Sequence, residues 1–80
     1  MPTLYIKPRC PWCIEAMDWL RNAGIEYNIT NVLEDASAYQ HMQKISGQSL
    51  TPTIELSGGA VLADFDVAQL EEFLTKNSLK

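Results

Sequence analysis

Long apolar runs are missing from this sequence of 80 residues. The longest relevant stretch, Ala60-Val61-Leu62-Ala63, falls far short of the roughly 18 residues that a membrane-spanning helix requires. The segment Met1-Pro2-Thr3-Leu4-Tyr5-Ile6 has neither the basic leader nor the apolar core and cleavage site of a secretory signal, so a cytoplasmic setting is the expectation. Positive charge is scarce: six Lys and Arg stand against ten Asp and Glu, a net charge of −4, which argues against a grip on nucleic acid or an anionic membrane. Cysteine is nearly absent. Cys10 and Cys13 are too few for a disulfide scaffold, and the single histidine, His41, reads as a solvated residue with no partner at ligand spacing. Zinc would need four ligands, so no metal and no bound cofactor are expected.

What is present suits one small domain spanning residues 1–80. A composition of 46% apolar and 20% charged residues excludes disorder and low-complexity readings. A chain of this length buries about 63% of its extended surface on folding. No internal repeat or linker interrupts it.

Turn and cap residues divide the chain. Thr3-Leu4-Tyr5-Ile6 is a β-prone run stopped by Lys7-Pro8, after which Pro11 suits the first position of a helix capped by Cys10. Between Pro11 and Ala23, the residues Cys13, Ala16, Met17, Leu20 and Ala23 recur at helical spacing, with Gly24 as the stop. Ile25-Glu26-Tyr27-Asn28-Ile29 alternates like a half-buried strand. A second helix is predicted over 35–46, with Ala38, Met42 and Ile45 on one face and Gly47 after it. Pro52 opens Thr53-Ile54-Glu55-Leu56, and Ser57-Gly58-Gly59 turns the chain into 60–63. The last helix has Asp66 as N-cap, Gln69 as capping-box partner, Phe65 as staple to Leu70, and a stripe of Val67, Leu70, Phe73 and Leu74. The order βαβαββα predicts an α/β fold with a four-stranded mixed sheet flanked by three helices.

Residues three apart on a helix are about 5–6 Å apart at Cβ, so Cys10 and Cys13 can close a disulfide with little backbone movement. In a reducing compartment that spacing suggests working thiols. Cys10, at the helix N-terminus, faces unpaired N–H groups and the positive dipole end, which favour a thiolate, whereas Cys13 lies on the core-facing stripe. Cys10 is therefore the expected attacking sulfur and Cys13 the resolving one. The dipole contributes at most about 2 kcal/mol, so N–H···S bonds and the flanking cations Lys7 and Arg9 are expected to add to it.

The residues Lys7-Pro8-Arg9-Cys10-Pro11-Trp12-Cys13 and Ser46-Gly47-Gln48-Ser49-Leu50-Thr51-Pro52, the Gly58-Gly59 hairpin and Asp66 at the last helix together resemble the glutaredoxin family, whose fold is a minimal thioredoxin fold. The resemblance covers essentially the whole chain. It implies a cis Thr51–Pro52 bond packed opposite Cys10, with Thr51 offering its backbone to substrate, and it implies roles for Lys7, Trp12 and Asp66 in holding glutathione. Glutathione is then a co-substrate and protein disulfides are the targets of a monomeric oxidoreductase.

Three positions depart from the family pattern. Tyr39 stands where glutathione-binding members often carry Arg or Gln, Leu50 replaces the usual Thr of the Thr-Val-Pro run with Thr51 in its middle, and Ala63-Asp64 replaces a Gly-Gly pair. Asp64 adds a carboxylate where an anionic ligand would sit. These departures point to an alternative, a glutaredoxin-like hydrogen donor reduced by thioredoxin reductase and serving, for example, ribonucleotide reductase. A third reading, an iron–sulfur carrier using Cys10 and glutathione across a dimer, is disfavoured by Pro11, where cluster-binding relatives typically have a small residue.

Overall fold

In the computed structural model, which describes residues 1–79, seven elements alternate as β1 (Thr3–Ile6), α1 (Pro11–Asn22), β2 (Asn28–Asn31), α2 (Ala36–Ser46), β3 (Thr53–Glu55), β4 (Val61–Ala63) and α3 (Val67–Lys76). The sheet order is β2-β1-β3-β4. β1 runs parallel to β2 and antiparallel to β3, with Leu4 opposite both Ile29 and Ile54. The α/β architecture expected from the element order is the one observed.

Because strand side chains alternate, β1 sends Leu4 and Tyr5 to opposite faces, and each nucleates a separate core. Leu4 joins Ala16, Leu20, Ile54, Leu56, Phe65, Leu70 and Leu74 under α1 and α3. Tyr5 joins Val32 and Met42 under α2, with Ala38, Tyr39 and Ile45 packed around them. The helix that carries the cysteines thus rests on the larger core.

The helix ends follow the cap residues. The Asp35 carboxylate accepts the Ala38 N–H at 3.1 Å at the start of α2, and Gly47 closes that helix in the left-handed region at φ 69°. At α3, the Gln69 N–H donates to Asp66 Oδ1 at 2.8 Å while the Asp66 N–H donates to Gln69 Oε1 at 2.9 Å, a complete capping box. Replacing Asp66 by alanine should therefore lower stability by about 1 kcal/mol, read as a melting point lower by roughly 4–8 °C in a domain of this size. An unchanged melting point would show the box to be ornamental.

Two expectations need correction. The second strand begins three residues later than its alternation suggests: Ile25 and Tyr27 pack on the larger core, but pairing starts only at Asn28, whose N–H donates to the Pro2 carbonyl at 2.8 Å. Side-chain period records burial, whereas a strand is defined by its partner's register. Ile29, on the sheet's outer edge, is consequently half exposed. Ala23 is exposed because α1 ends at Asn22 and Ala23 serves as its C-cap. His41 is exposed, as expected, and gains a partner: its Nε2 lies 3.3 Å from Glu55 Oε1, the oxygen that also accepts the Tyr5 hydroxyl at 2.8 Å. Burial, together with the Glu55 carboxylate, pushes the Tyr5 phenol up to about 12.

Candidate active site

A tight turn at Pro8 and Arg9 brings the first cysteine to the surface. Pro8 interrupts the β1 ladder, Arg9 takes the left-handed region at φ 61°, and Pro11 starts α1. Cys10 is then the N-cap, with extended backbone (φ −90°, ψ 109°), and its Sγ accepts the Cys13 N–H at 3.2 Å. A sulfur occupies the place that a serine or aspartate oxygen usually takes, and it receives the N–H of the third helical residue, Cys13. Cys10 is partly exposed and Cys13 only 1% exposed; both are free thiols. Burial first, and the neighbouring Cys10 sulfur second, push the Cys13 thiol up to about 11, against smaller opposing contributions from the Lys7 backbone and the Thr51 side chain.

The second wall comes from the segment before β3. The Thr51–Pro52 bond is cis, Pro52 is buried, and Cys10 Sγ lies 3.8 Å from the Thr51 carbonyl oxygen and 3.9 Å from its hydroxyl. Gln48 holds this segment from within. Its Nε2 donates to Ser46 Oγ at 2.9 Å and to Thr53 Oγ1 at 3.1 Å, and its Oε1 accepts the Leu50 N–H at 2.6 Å. Thr53, fully buried, donates in turn to the Leu50 carbonyl at 2.9 Å. The sequence reading treats Gln48 only as part of a motif; the polar run from Ser46 to Thr53 was the available signal for a hydrogen-bonded loop.

Beyond Cys10, Trp12 is 55% exposed and lines a pocket of about 260 Å³ with Asp64, Phe65, Asp66 and Gln69. Asp64 adopts φ 52°, a left-handed conformation that a glycine would take without strain, and its N–H donates to the Pro52 carbonyl at 2.9 Å. Cys10, Cys13, Thr51 and Pro52 meet at one place, with Trp12 and Asp66 on its flank. Lys7 is bound to the loop that leads into Thr51: its Nζ donates to the Ser49 carbonyl at 3.1 Å and lies 5.2 Å from the centre of the Tyr39 ring. Among the described residues, no three His, Cys, Asp or Glu side chains gather to hold a metal ion, and no helix is long and apolar enough to cross a membrane.

An accessible sulfur that accepts a helix N–H, backed by a buried thiol one turn away, is an arrangement suited to thiol–disulfide exchange. Relatives of known sequence and structure agree with that chemistry. The family model described as Glutaredoxin matches residues 3–61. The chain is 29% identical over 76 residues to an uncharacterized glutaredoxin-like 8.6 kDa protein in the rubredoxin operon of Clostridium pasteurianum, covering 95% of this chain and 100% of that protein. It is 35% identical over 72 residues to a glutaredoxin of Neisseria meningitidis, covering 88% and 84%. Among solved structures, a thioredoxin-like protein superposes with a TM-score of 0.83 at 27% identity, over 92% of this chain and 100% of the other. A glutaredoxin from Archaeoglobus fulgidus shares the fold, with a TM-score of 0.78 at 18% identity over 91% and 84%. With most of its length matched by the family model and its fold shared with solved members, the chain belongs to the glutaredoxin family.

Proposed function

We propose that this chain reduces protein disulfides and glutathione mixed disulfides by dithiol exchange, with Cys10 attacking and Cys13 resolving. The observation that carries the reading is the asymmetry of the two sulfurs: one is exposed and held by the Cys13 N–H at 3.2 Å, the other is buried directly behind it. In the first step the Cys10 thiolate attacks one sulfur of the substrate, a mixed disulfide forms, and the other substrate sulfur leaves as a thiolate. Cys13 then loses its proton and attacks Cys10 Sγ, the reduced substrate leaves, and the Cys10–Cys13 disulfide remains. Two electrons from an external thiol or a protein reductase restore the dithiol. The Thr51 backbone beside Cys10 suits a short antiparallel pairing with an extended substrate, and the exposed Trp12 and the Asp66 carboxylate flank the same groove.

A second reading, reduction by thioredoxin reductase in service of an acceptor such as ribonucleotide reductase, is favoured by two features of the site. The Lys7 ammonium that would meet a glutathione carboxylate is engaged by Ser49 and Tyr39, while Asp64 adds negative charge to the pocket beside Asp66. Turnover of a protein disulfide should be measured with glutathione plus glutathione reductase and, separately, with thioredoxin reductase. Turnover in the glutathione arm supports the leading reading. Turnover only with thioredoxin reductase replaces it with the second, and turnover in neither overturns both.

A further inference from the structure

Two side chains from distant parts of the chain converge on the Ser49 carbonyl oxygen. Lys7, just past β1, donates to it from Nζ at 3.1 Å, and Tyr39, in the first half of α2, donates from its hydroxyl at 3.3 Å. The Lys7 ammonium also faces the Tyr39 ring at 5.2 Å from its centre, a cation–π contact. Two donors on one carbonyl, tied to each other, leave that peptide little freedom to turn. Ser49 stands two residues before Thr51, whose carbonyl lies against Cys10 Sγ. The Leu50 N–H between them is held separately by Gln48.

Resting on the dithiol reading above, we propose that Tyr39 is a positioning residue of the exchange site: by gripping Lys7 and the Ser49 carbonyl together it fixes the 49–51 segment along which a peptide disulfide docks. Tyr39 touches neither substrate nor sulfur in this scheme. It acts through the placement of the Thr51 backbone, so its loss should penalise substrates that use that backbone and spare those that do not.

Two probes with the same leaving group separate these cases. One is an extended hexapeptide whose single cysteine carries a 2-pyridyl disulfide; the other is ethyl 2-pyridyl disulfide, which has no backbone to pair. In both, attack of Cys10 forms a mixed disulfide and releases one thiopyridone, read by absorbance. Tyr39→Leu should slow the peptide reaction about tenfold, the combined effect of losing one hydroxyl hydrogen bond and one cation–π contact, with less than a twofold change for the ethyl probe. Tyr39→Phe, which keeps the ring under Lys7 but lacks the hydroxyl, should fall between. Equal losses on both probes, or no loss on the peptide, would overturn the proposal. Amide exchange at Leu50 in the reduced protein reads segment order without any catalysis and should accelerate in Tyr39→Leu; unchanged exchange also overturns it. A wild-type protein inert to the ethyl probe would instead sink the dithiol reading, leaving the exchange result to decide the role of Tyr39.

Discussion

Replacing Cys10 by serine should abolish disulfide reduction on every substrate, while replacing Cys13 by serine should leave removal of glutathione from a protein within a few-fold of wild type. The difference follows from where the two sulfurs sit. Cys10 is the sulfur that an incoming disulfide can reach, and the Cys13 N–H already donates to it at 3.2 Å. A serine hydroxyl there would keep the cap but is not ionised near neutral pH and cannot form a disulfide. Cys13 is 1% exposed and meets a substrate only after Cys10 has captured it. Without Cys13, a mixed disulfide on Cys10 waits for an external thiol, so Cys13→Ser incubated with oxidised glutathione should carry one glutathione, seen by intact mass. Equal loss of both variants on a glutathionylated protein would refute this division of roles.

The second large effect is a pH dependence. Closure of the Cys10–Cys13 disulfide requires the Cys13 thiolate, and burial, the largest contribution, holds this thiol well above its ordinary 9.0, at about 11 in the reduced protein. Once Cys10 is bonded to substrate, its own contribution weakens, but the burial remains. Cys13 is therefore almost wholly protonated at neutral pH, where each unit of pH raises its thiolate fraction about tenfold. The rate of closure should rise about a hundredfold between pH 6 and pH 8. The measurement is a pH jump: the mixed disulfide is formed at low pH, where closure is slow, and release of the substrate thiol is followed after the jump. A flat profile over that range would mean that another group takes the Cys13 proton. The same shift bears on stability. A thiol whose folded pKa is raised contributes stability that is fully present below about 9 and is lost as pH rises through about 11. The reduced protein should lose this contribution over that window, and the oxidised protein, having no Cys13 proton, should not.

Much of this molecule is legible from residue order. The helix starts and the stops at Cys10, Asp35, Gly47 and Asp66 are local events, settled within one turn by hydrogen bonds from a side chain or by a left-handed glycine, and they lie where the chain pattern puts them. The unequal placement of the two cysteines follows likewise from a helix N-terminus and its apolar stripe. Long-range pairing is different in kind. The start of β2 depends on the register against β1, which alternation of Ile25, Tyr27 and Ile29 does not encode. The partnership of His41 with Glu55, and of Lys7 with Tyr39 and Ser49, arises because α2 packs across the sheet and brings together groups separated by 10 to 42 positions. The groove itself has the same origin: Thr51 meets Cys10 across 41 residues, because β3 docks antiparallel beside β1 and delivers the preceding loop to the N-terminus of α1. Caps and periodicity are properties of neighbouring residues, whereas the substrate face is a property of sheet order, set only when two hydrophobic layers close on opposite sides of β1.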